Sequence, residues 1–361
     1  MNPGSGQSRW RKYGPSIEVD VMAFGVGLSI GTVNTVCATA AEKPGKHPPG
    51  RKGAAPPTTW RTTLTFDSSG TARVGRIPRH GRVITDFADL SQRGAPAARV
   101  GHRALSAADL VATVACSVIE EVLGKAPAGP LDSGDTGIAV THPAGYSENL
   151  VTDLRTALDS VGLSRAILVA EPIAAATWLQ AERGPLTPGL ALVYDLGGSG
   201  LNITLVRVGA GAPDNPIVGQ PLCSREYGGR AFGALVAKDM RRGASSATVS
   251  RALSDADTGE LRIEHVGRSL ELVYKCLRIA DVTMADVDRV LVVGGAARPP
   301  EVAQVLSERL ARPVVVAPDP ERTIADGAAI VARRALAQDP SGHRPHTLAG
   351  FFRRVTRVAA L

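Results

Sequence analysis

Two segments of this chain have the residue types of a backbone built to hold an anion, and they are variations on one another. The first reads Gly27-Leu28-Ser29-Ile30-Gly31-Thr32-Val33-Asn34-Thr35, the second Val193-Tyr194-Asp195-Leu196-Gly197-Gly198-Ser199-Gly200-Leu201-Asn202. Each has an apolar run, a polar residue, an apolar residue, a glycine, a few small or polar residues and a second apolar run (36–40 and 203–208). That is strand, turn, strand. Glycine admits φ > 0 and lets successive amides point into one concavity, a nest for phosphate. One such turn is an ordinary hairpin. Two of them facing each other across a cleft would hold the phosphates of one nucleotide from both sides.

Alternating elements must position these turns. Short strands are expected at 62–66 and 72–74. Residues 106–124 predict a helix, with Ser106 as N-cap and Leu110, Val114, Val118 and Val122 on one face. A strand (136–141), a helix (147–161), a strand (166–169) and a helix from 174 to 180 follow. The second half repeats the theme. A hairpin at 190–208 precedes helices near 230–241 and 258–280, a strand at 290–293, a helix at 300–310, a strand at 314–316 and a helix at 324–336. Asp257 with Glu260 reads as a capping box, and Val266, Leu270, Val273 and Leu277 form the buried stripe of the helix it would open. Hairpins followed by alternating β and α segments, occurring twice, indicate a two-lobed α/β protein with a cleft between lobes. Residues 1–22 are expected to be disordered, with Met22 as an alternative start, and 42–58 are too rich in Pro and Gly for regular structure.

Composition removes several classes of function. With 361 residues there is room for two or three domains. No run approaches the roughly 18 apolar residues of a membrane span, and the basic N-terminus lacks the apolar core of a secretory signal. Cys37, Cys116, Cys223 and Cys276 are far apart, without a CxxC, and read as buried free thiols of a reducing cytoplasm. The net charge of +7 sits in residues 1–22, 41–60 and 338–361, which leaves the remaining chain neutral. A folded basic face for nucleic acid is therefore not expected.

Six motifs in order then resemble the nucleotide-binding domain of DnaK-type heat-shock chaperones, within the actin-like ATPase superfamily. Gly27 to Thr35 is similar to the family's first phosphate loop. Val140-Thr141-His142-Pro143-Ala144 and Glu171-Pro172-Ile173-Ala174-Ala175-Ala176 look like its strand end and connecting helix. Asp195 to Gly200 resembles its second phosphate loop. Val292-Val293-Gly294-Gly295-Ala296-Ala297-Arg298-Pro299-Pro300 resembles its adenosine motif, and Ala325-Asp326-Gly327-Ala328-Ala329 its last connecting helix. The match spans 23–336 and is most similar to divergent, short actinobacterial-type members.

The resemblance implies a two-lobed actin-like ATPase (ribonuclease H-like) fold with duplicated βββαβα-type lobes. Lobe I would be 23–186 and lobe II 187–336, with a shortened outer subdomain in lobe II and the last helix packing back on lobe I. It also implies ATP or ADP with Mg²⁺. Nucleotide contacts would come from Gly31, Thr32, Val33, Asn34, Gly197, Gly198, Ser199, Gly200, Gly294, Gly295, Ala296 and Arg298, the last stacking on the base. Asp195 and Glu171 would be the catalytic carboxylates, Asp195 holding the metal through water.

Several family positions are altered. Ser29 and Asn202 stand where the family has carboxylates, Gly200 where it has threonine, and Ala88 where its lysine would align. Phosphoryl transfer rests on positioning and charge neutralisation, and each lost electrostatic contact costs about a hundred- to a thousandfold. Hydrolysis is expected near background. The stretch from Gly229 to Gly294 is short and lacks the family's basic adenine clamp, so affinity should be lower as well.

Residues 337–361 read as a linker and a basic amphipathic segment at 348–358, suited to a membrane surface, a partner groove or its own domain. No peptide-client domain is expected. His142 reads as a strand-end residue, and His343 and His346 as isolated tail residues. The expected function is a cytoplasmic, ATP-binding nucleotide switch acting on an unidentified protein partner, with weak or absent hydrolysis. The alternatives are a nucleotide-free adaptor module and, behind it, a small-molecule kinase of the same superfamily.

Overall fold

A computed structural model describes residues 24–41, 58–67, 70–77, 83–92, 98–100, 103–124, 136–246 and 255–338. Lobe I begins with strands β1 (Phe24–Ile30) and β2 (Asn34–Ala41) and the short strands β3 (Thr59–Arg61), β4 (Leu64–Phe66), β5 (Ala72–Val74), β6 (Ala98–Val100) and β7 (Arg103–Leu105). Helix α1 (Ala107–Leu123), β8 (Thr136–His142), α2 (Glu148–Ser160), β9 (Ile167–Ala170) and α3 (Glu171–Arg183) complete it. Lobe II runs through β10 (Gly189–Leu196), β11 (Leu201–Val208), β12 (Ile217–Ser224), α4 (Gly229–Ser246) and α5 (Asp255–Ile279). It ends with β13 (Arg289–Val293), α6 (Pro300–Leu310), β14 (Val314–Val316) and α7 (Thr323–Gln338).

Each lobe is built on a five-stranded sheet, and the two sheets have one topology. Their orders are β3-β2-β1-β8-β9 and β12-β11-β10-β13-β14. In both, the first three strands in sequence are antiparallel and the last two join parallel to the central one. The repeat seen in the motifs is thus a repeat of the fold, the two-lobed actin-like arrangement of duplicated βββαβα units.

Residue size along β1 decides which layer covers which face. Phe24, Val26, Leu28 and Ile30 alternate onto one side and join α1 and α2 in the first core. Gly25 and Gly27 point the other way, where a Cβ on either would meet the backbone of α7. Gly137 of β8 faces Ala332 of α7 in the same manner. Lobe I therefore offers α7 a nearly bare backbone face, and α7 answers with Ala325, Ala328, Ala329 and Ala332, all buried. In lobe II, Leu192, Tyr194 and Leu196 of β10 pack with α5 and α6, while Ala191 and Val193 face α3. The closing helix of each lobe consequently covers the other lobe's sheet, and α3 and α7 cross in one core between them.

The predicted elements largely coincide with these. Ser106 caps α1 through a reciprocal box with Asp109, and Ser147 caps α2. Val266, Leu270, Val273 and Leu277 are buried as expected. The Asp257 cap is a misreading: α5 starts at Asp255, so Asp257 lies inside the helix. Three features went unpredicted, the edge strands β3 and β12 and the β6–β7 hairpin. Expectations for residues 1–22, for 42–57 of the insert and for 348–358 fall outside the described residues. Among the described residues no helix is long and apolar enough to cross a membrane.

Two helix glycines give opposite expectations. A Cβ on Gly327 falls on the carbonyl of Ala174 in α3, whereas one on Gly267 of α5 meets open space. Gly327→Ala should destabilise by about 1–3 kcal/mol through overpacking, and Gly267→Ala should stabilise by about 0.5–1 kcal/mol through helix propensity. Thermal melts of the two variants check this. Shifts of the same sign would contradict the α3–α7 contact.

Candidate functional site

The turn between β1 and β2 and the turn between β10 and β11 open into a single cavity of about 380 Å³ between the lobes. Each turn is closed by a backbone hydrogen bond, Gly31 N–H to the Asn34 carbonyl at 3.0 Å and Gly197 N–H to the Gly200 carbonyl at 2.9 Å. These two amides are therefore spent inside their own hairpins. The amides at the tips, of Thr32, Val33, Gly198 and Ser199, donate to no other described residue and are left for a ligand.

The glycines are required for a reason other than the one the sequence suggested. None of Gly31, Gly197, Gly198 and Gly200 adopts a positive φ, so the left-handed nest expected there is not formed. Closeness is what excludes side chains. A Cβ on Gly198 would collide with the Val33 side chain of the opposite lobe, and one on Gly200 would stand 2.9 Å from the Ser224 carbonyl. The tips touch across the cleft.

Two carboxylates form the acidic end. Asp195 closes β10 and is buried, and Glu171 opens α3 behind Pro143 and Pro172 in the cavity wall. Asn202, beside Asp195 in register, donates from Nδ2 to Asp195 Oδ2 at 3.1 Å. No described Lys or Arg pairs with either acid. Burial raises the Glu171 carboxyl to about 8, and the nearby charge of Asp195 adds to the rise. Burial raises Asp195 as well, against the lowering effect of the Asn202 bond. Two unneutralised acids fit a divalent cation that keeps waters and ligand phosphates as its other partners, the coordination Mg²⁺ prefers.

The wall beside Asp195 is built by β13 and the turn after it. Gly294 has φ 96°, and a Cβ there would crowd the Leu196 carbonyl and Asp195. Gly295 faces Glu321, which accepts from Asn34 Nδ2 at 2.7 Å and pairs with Arg298 at 2.7 Å. Arg298 also holds Asp319 at 2.9 Å. Its guanidinium, expected to be free for a base, is instead engaged by two carboxylates, because both lie on the 319–321 turn beneath it.

All fourteen residues singled out from the sequence line this one cavity: Gly31 to Asn34, Glu171, Asp195, Gly197 to Gly200, Gly294 to Ala296 and Arg298. The sequence reading missed Asp89, Tyr146, Arg225 and Glu321, which line it too. Tyr146 holds the 88–90 segment, donating to the Ala88 carbonyl at 3.2 Å and accepting from Leu90 N–H at 2.9 Å. Ala88 is buried in the same wall. His142 is a strand-end residue as read, its Nδ1 3.0 Å from the Pro143 carbonyl. Cys37 and Cys276 are buried, and burial pushes their thiols up to about 12 and 11. Cys116 is half-buried. Cys223 is a correction: it sits on edge strand β12, exposed at the cavity wall.

A family model described as Hsp70 protein matches residues 238–338. The chain is similar to the chaperone protein HscA of Salmonella arizonae, 29% identical over 266 residues, which cover 64% of this chain and 41% of that protein. HscA of Escherichia coli O6:H1 is 28% identical over 376 aligned positions, covering 87% of this chain and 58% of the relative. The chain thus spans about half the length of the curated relatives it matches.

The buried acids make stability depend on pH. Glu171 titrates near 4.5 when unfolded and near 8 when folded, so the folded state holds the extra proton between those values. Stability should fall as pH rises through that window. Glu171→Gln removes the effect. Its ligand-free melting temperature should exceed wild type at pH 8.5, by about 2–4 °C per kcal/mol of repulsion relieved, and the gap should close near pH 4.5. A gap independent of pH would contradict the coupling.

Proposed function

We propose that this chain, which belongs to the Hsp70 family, binds ATP and ADP in the inter-lobe cavity and works as a nucleotide-responsive switch whose hydrolysis is close to background. One observation carries the reading. Hairpin turns from opposite lobes touch at their tips, present unpaired amides to one cavity, and share it with the buried Asp195, the half-buried Glu171 and a glycine turn of left-handed geometry.

The tip amides of both turns donate to phosphate oxygens, and the hydroxyls of Thr32 and Ser199 add further donors. Gly294 and Gly295 let a nucleoside lie against the backbone. Mg²⁺, if bound, would supply positive charge to offset the phosphates, and Asp195 and Glu171 are the residues that would hold it. Ser29 and Asn202 bring no second pair of charges to that end, and Asn202 turns an N–H toward Asp195. A water aimed at the terminal phosphate therefore has few groups to orient it, which supports binding over turnover. Because the turns belong to different lobes, a ligand gripping both has more contacts in the closed arrangement than in an open one. Differential affinity of that kind is what shifts a two-state equilibrium toward a partner-competent form.

The adaptor reading is favoured by a separate feature. Asn34, Glu321 and Arg298 bond to one another across the cleft, as residues of a fixed interface would. Calorimetric titration of the whole chain with Mg-ATP and ADP separates the two. Micromolar binding with turnover near background is expected, whereas no binding at millimolar nucleotide would sink the switch and leave the adaptor. Gly197→Asp is the control. Its Cβ meets only the Gly200 carbonyl, at 3.4 Å, so the fold should survive while the added carboxylate repels phosphate. Unchanged ATP affinity in that variant would place the site elsewhere.

A further inference from the structure

Two arginines of lobe II reach over the mouth of the cleft, and each rests on a carboxylate of lobe I. Arg225, just past β12, pairs with Asp89, and both line the cavity. Arg230, in the first turn of α4, pairs with Asp86 and also approaches the Thr32 carbonyl at 3.4 Å. The backbone beneath them is the outer wall of the second turn. The amides of Gly229 and Arg230 donate to the carbonyls of Gly197 and Gly198, at 3.0 and 2.8 Å. A Cβ on Gly200 would stand 3.7 Å from the Arg225 Cα. Arg230 thereby clips both turns together, its main chain on one and its side chain on the other.

Among the described cavity-lining residues only Arg225 and Arg298 are cationic. Arg298 is already held by two carboxylates, Asp319 and Glu321, which leaves Arg225, with Asp89 as its carboxylate partner, as the cation more readily released to a phosphate. Its present partner is a weak competitor. The Arg225 side chain is 54% exposed, and ion pairs at such positions contribute about 0–1 kcal/mol. A terminal phosphate carries more charge than Asp89 and offers the guanidinium two parallel hydrogen bonds.

We propose that Arg225 exchanges Asp89 for the terminal phosphate of a bound nucleotide, making the cleft selective for nucleoside di- and triphosphates over monophosphates, while Arg230 fixes the spacing of the two turns. This deepens the nucleotide reading above and rests on it. Bound polyphosphate replaces the Arg225–Asp89 link between the lobes with one that runs through the ligand, so occupancy is read at the mouth of the cleft.

The test is calorimetric titration of the full chain with Mg-ATP and with AMP, in wild type, Arg225→Met, Arg225→Lys and Asp89→Asn. Melting temperatures within about 2 °C of wild type are expected for the Arg225 variants, whose side chain is an exposed ion-pair partner, and Asp89→Asn keeps an oxygen to accept from Ser91. Arg225→Met should weaken ATP about tenfold or more, the size of one lost hydrogen bond to a charged group, and leave AMP within about twofold. Arg225→Lys should restore part of the loss, as a point charge without the fork. Asp89→Asn should tighten ATP several-fold by removing the competitor. Wild type that binds ATP, with Arg225→Met binding it equally well or losing ATP and AMP alike, overturns the exchange but leaves the nucleotide reading standing. Weaker ATP binding by Asp89→Asn does the same. Wild type that binds neither nucleotide ends both.

Discussion

The crossing of α3 and α7 is the constraint from which the rest of the architecture follows. Each helix closes one lobe and covers the sheet of the other, so neither lobe completes its core alone. The approach is so close that the Cβ position of Gly327 is taken by the Ala174 carbonyl, and those of Gly25, Gly27 and Gly137 by the backbone of α7. Side chains at these points would separate the layers by the width of at least a methyl group. The two turns at the strand ends would then no longer meet. Small residues deep in the fold thus fix the distance between Val33 and Gly198 at the cleft, and a change of a few ångströms at the crossing becomes an opening at the site.

Charge in the cleft is unbalanced at its acidic pair and loosely held at its mouth. Glu171 and Asp195 repel one another without a cation, and burial keeps protons on them longer than water would. Arg225, Arg230 and Arg298 each sit on carboxylates at half-exposed positions, where such pairs hold weakly. A phosphate chain with its counter-ion complements both sets, offering anions to the arginines and a cation to the acids. The ion pairs at the cleft are individually replaceable. That suits a switch better than a rigid scaffold.

The repeat and the turns were legible because they are local. Gly31, Gly197, Gly198, Gly294 and Gly295 sit in short runs whose residue types report a turn between strands, and all line one cavity. Their physical role was less legible. Sequence suggests left-handed φ wherever glycines cluster, but only Gly294 among these five adopts it, and Gly31, Gly198 and Gly295 serve close approach instead, in the case of Gly198 to Val33, 165 positions away. Arg225 and Arg230 were invisible for the same reason. Their partners Asp89 and Asp86 are 136 and 144 residues distant, and no periodicity links them. Strand β12 escaped notice because it is an edge strand, interrupted by a register shift against β11, with Gly219 and Pro221 inside it. Cys223 was misjudged with it, since apolar neighbours on an edge strand do not imply burial.

The central claim is that two turns from different lobes grip one ligand together, and amide hydrogen exchange followed with and without Mg-ATP tests it most directly. Peptides covering 31–34 and 197–200 should slow together as nucleotide is added, with the same concentration dependence. Slowing of one peptide without the other, or of neither at saturating nucleotide, would contradict the account.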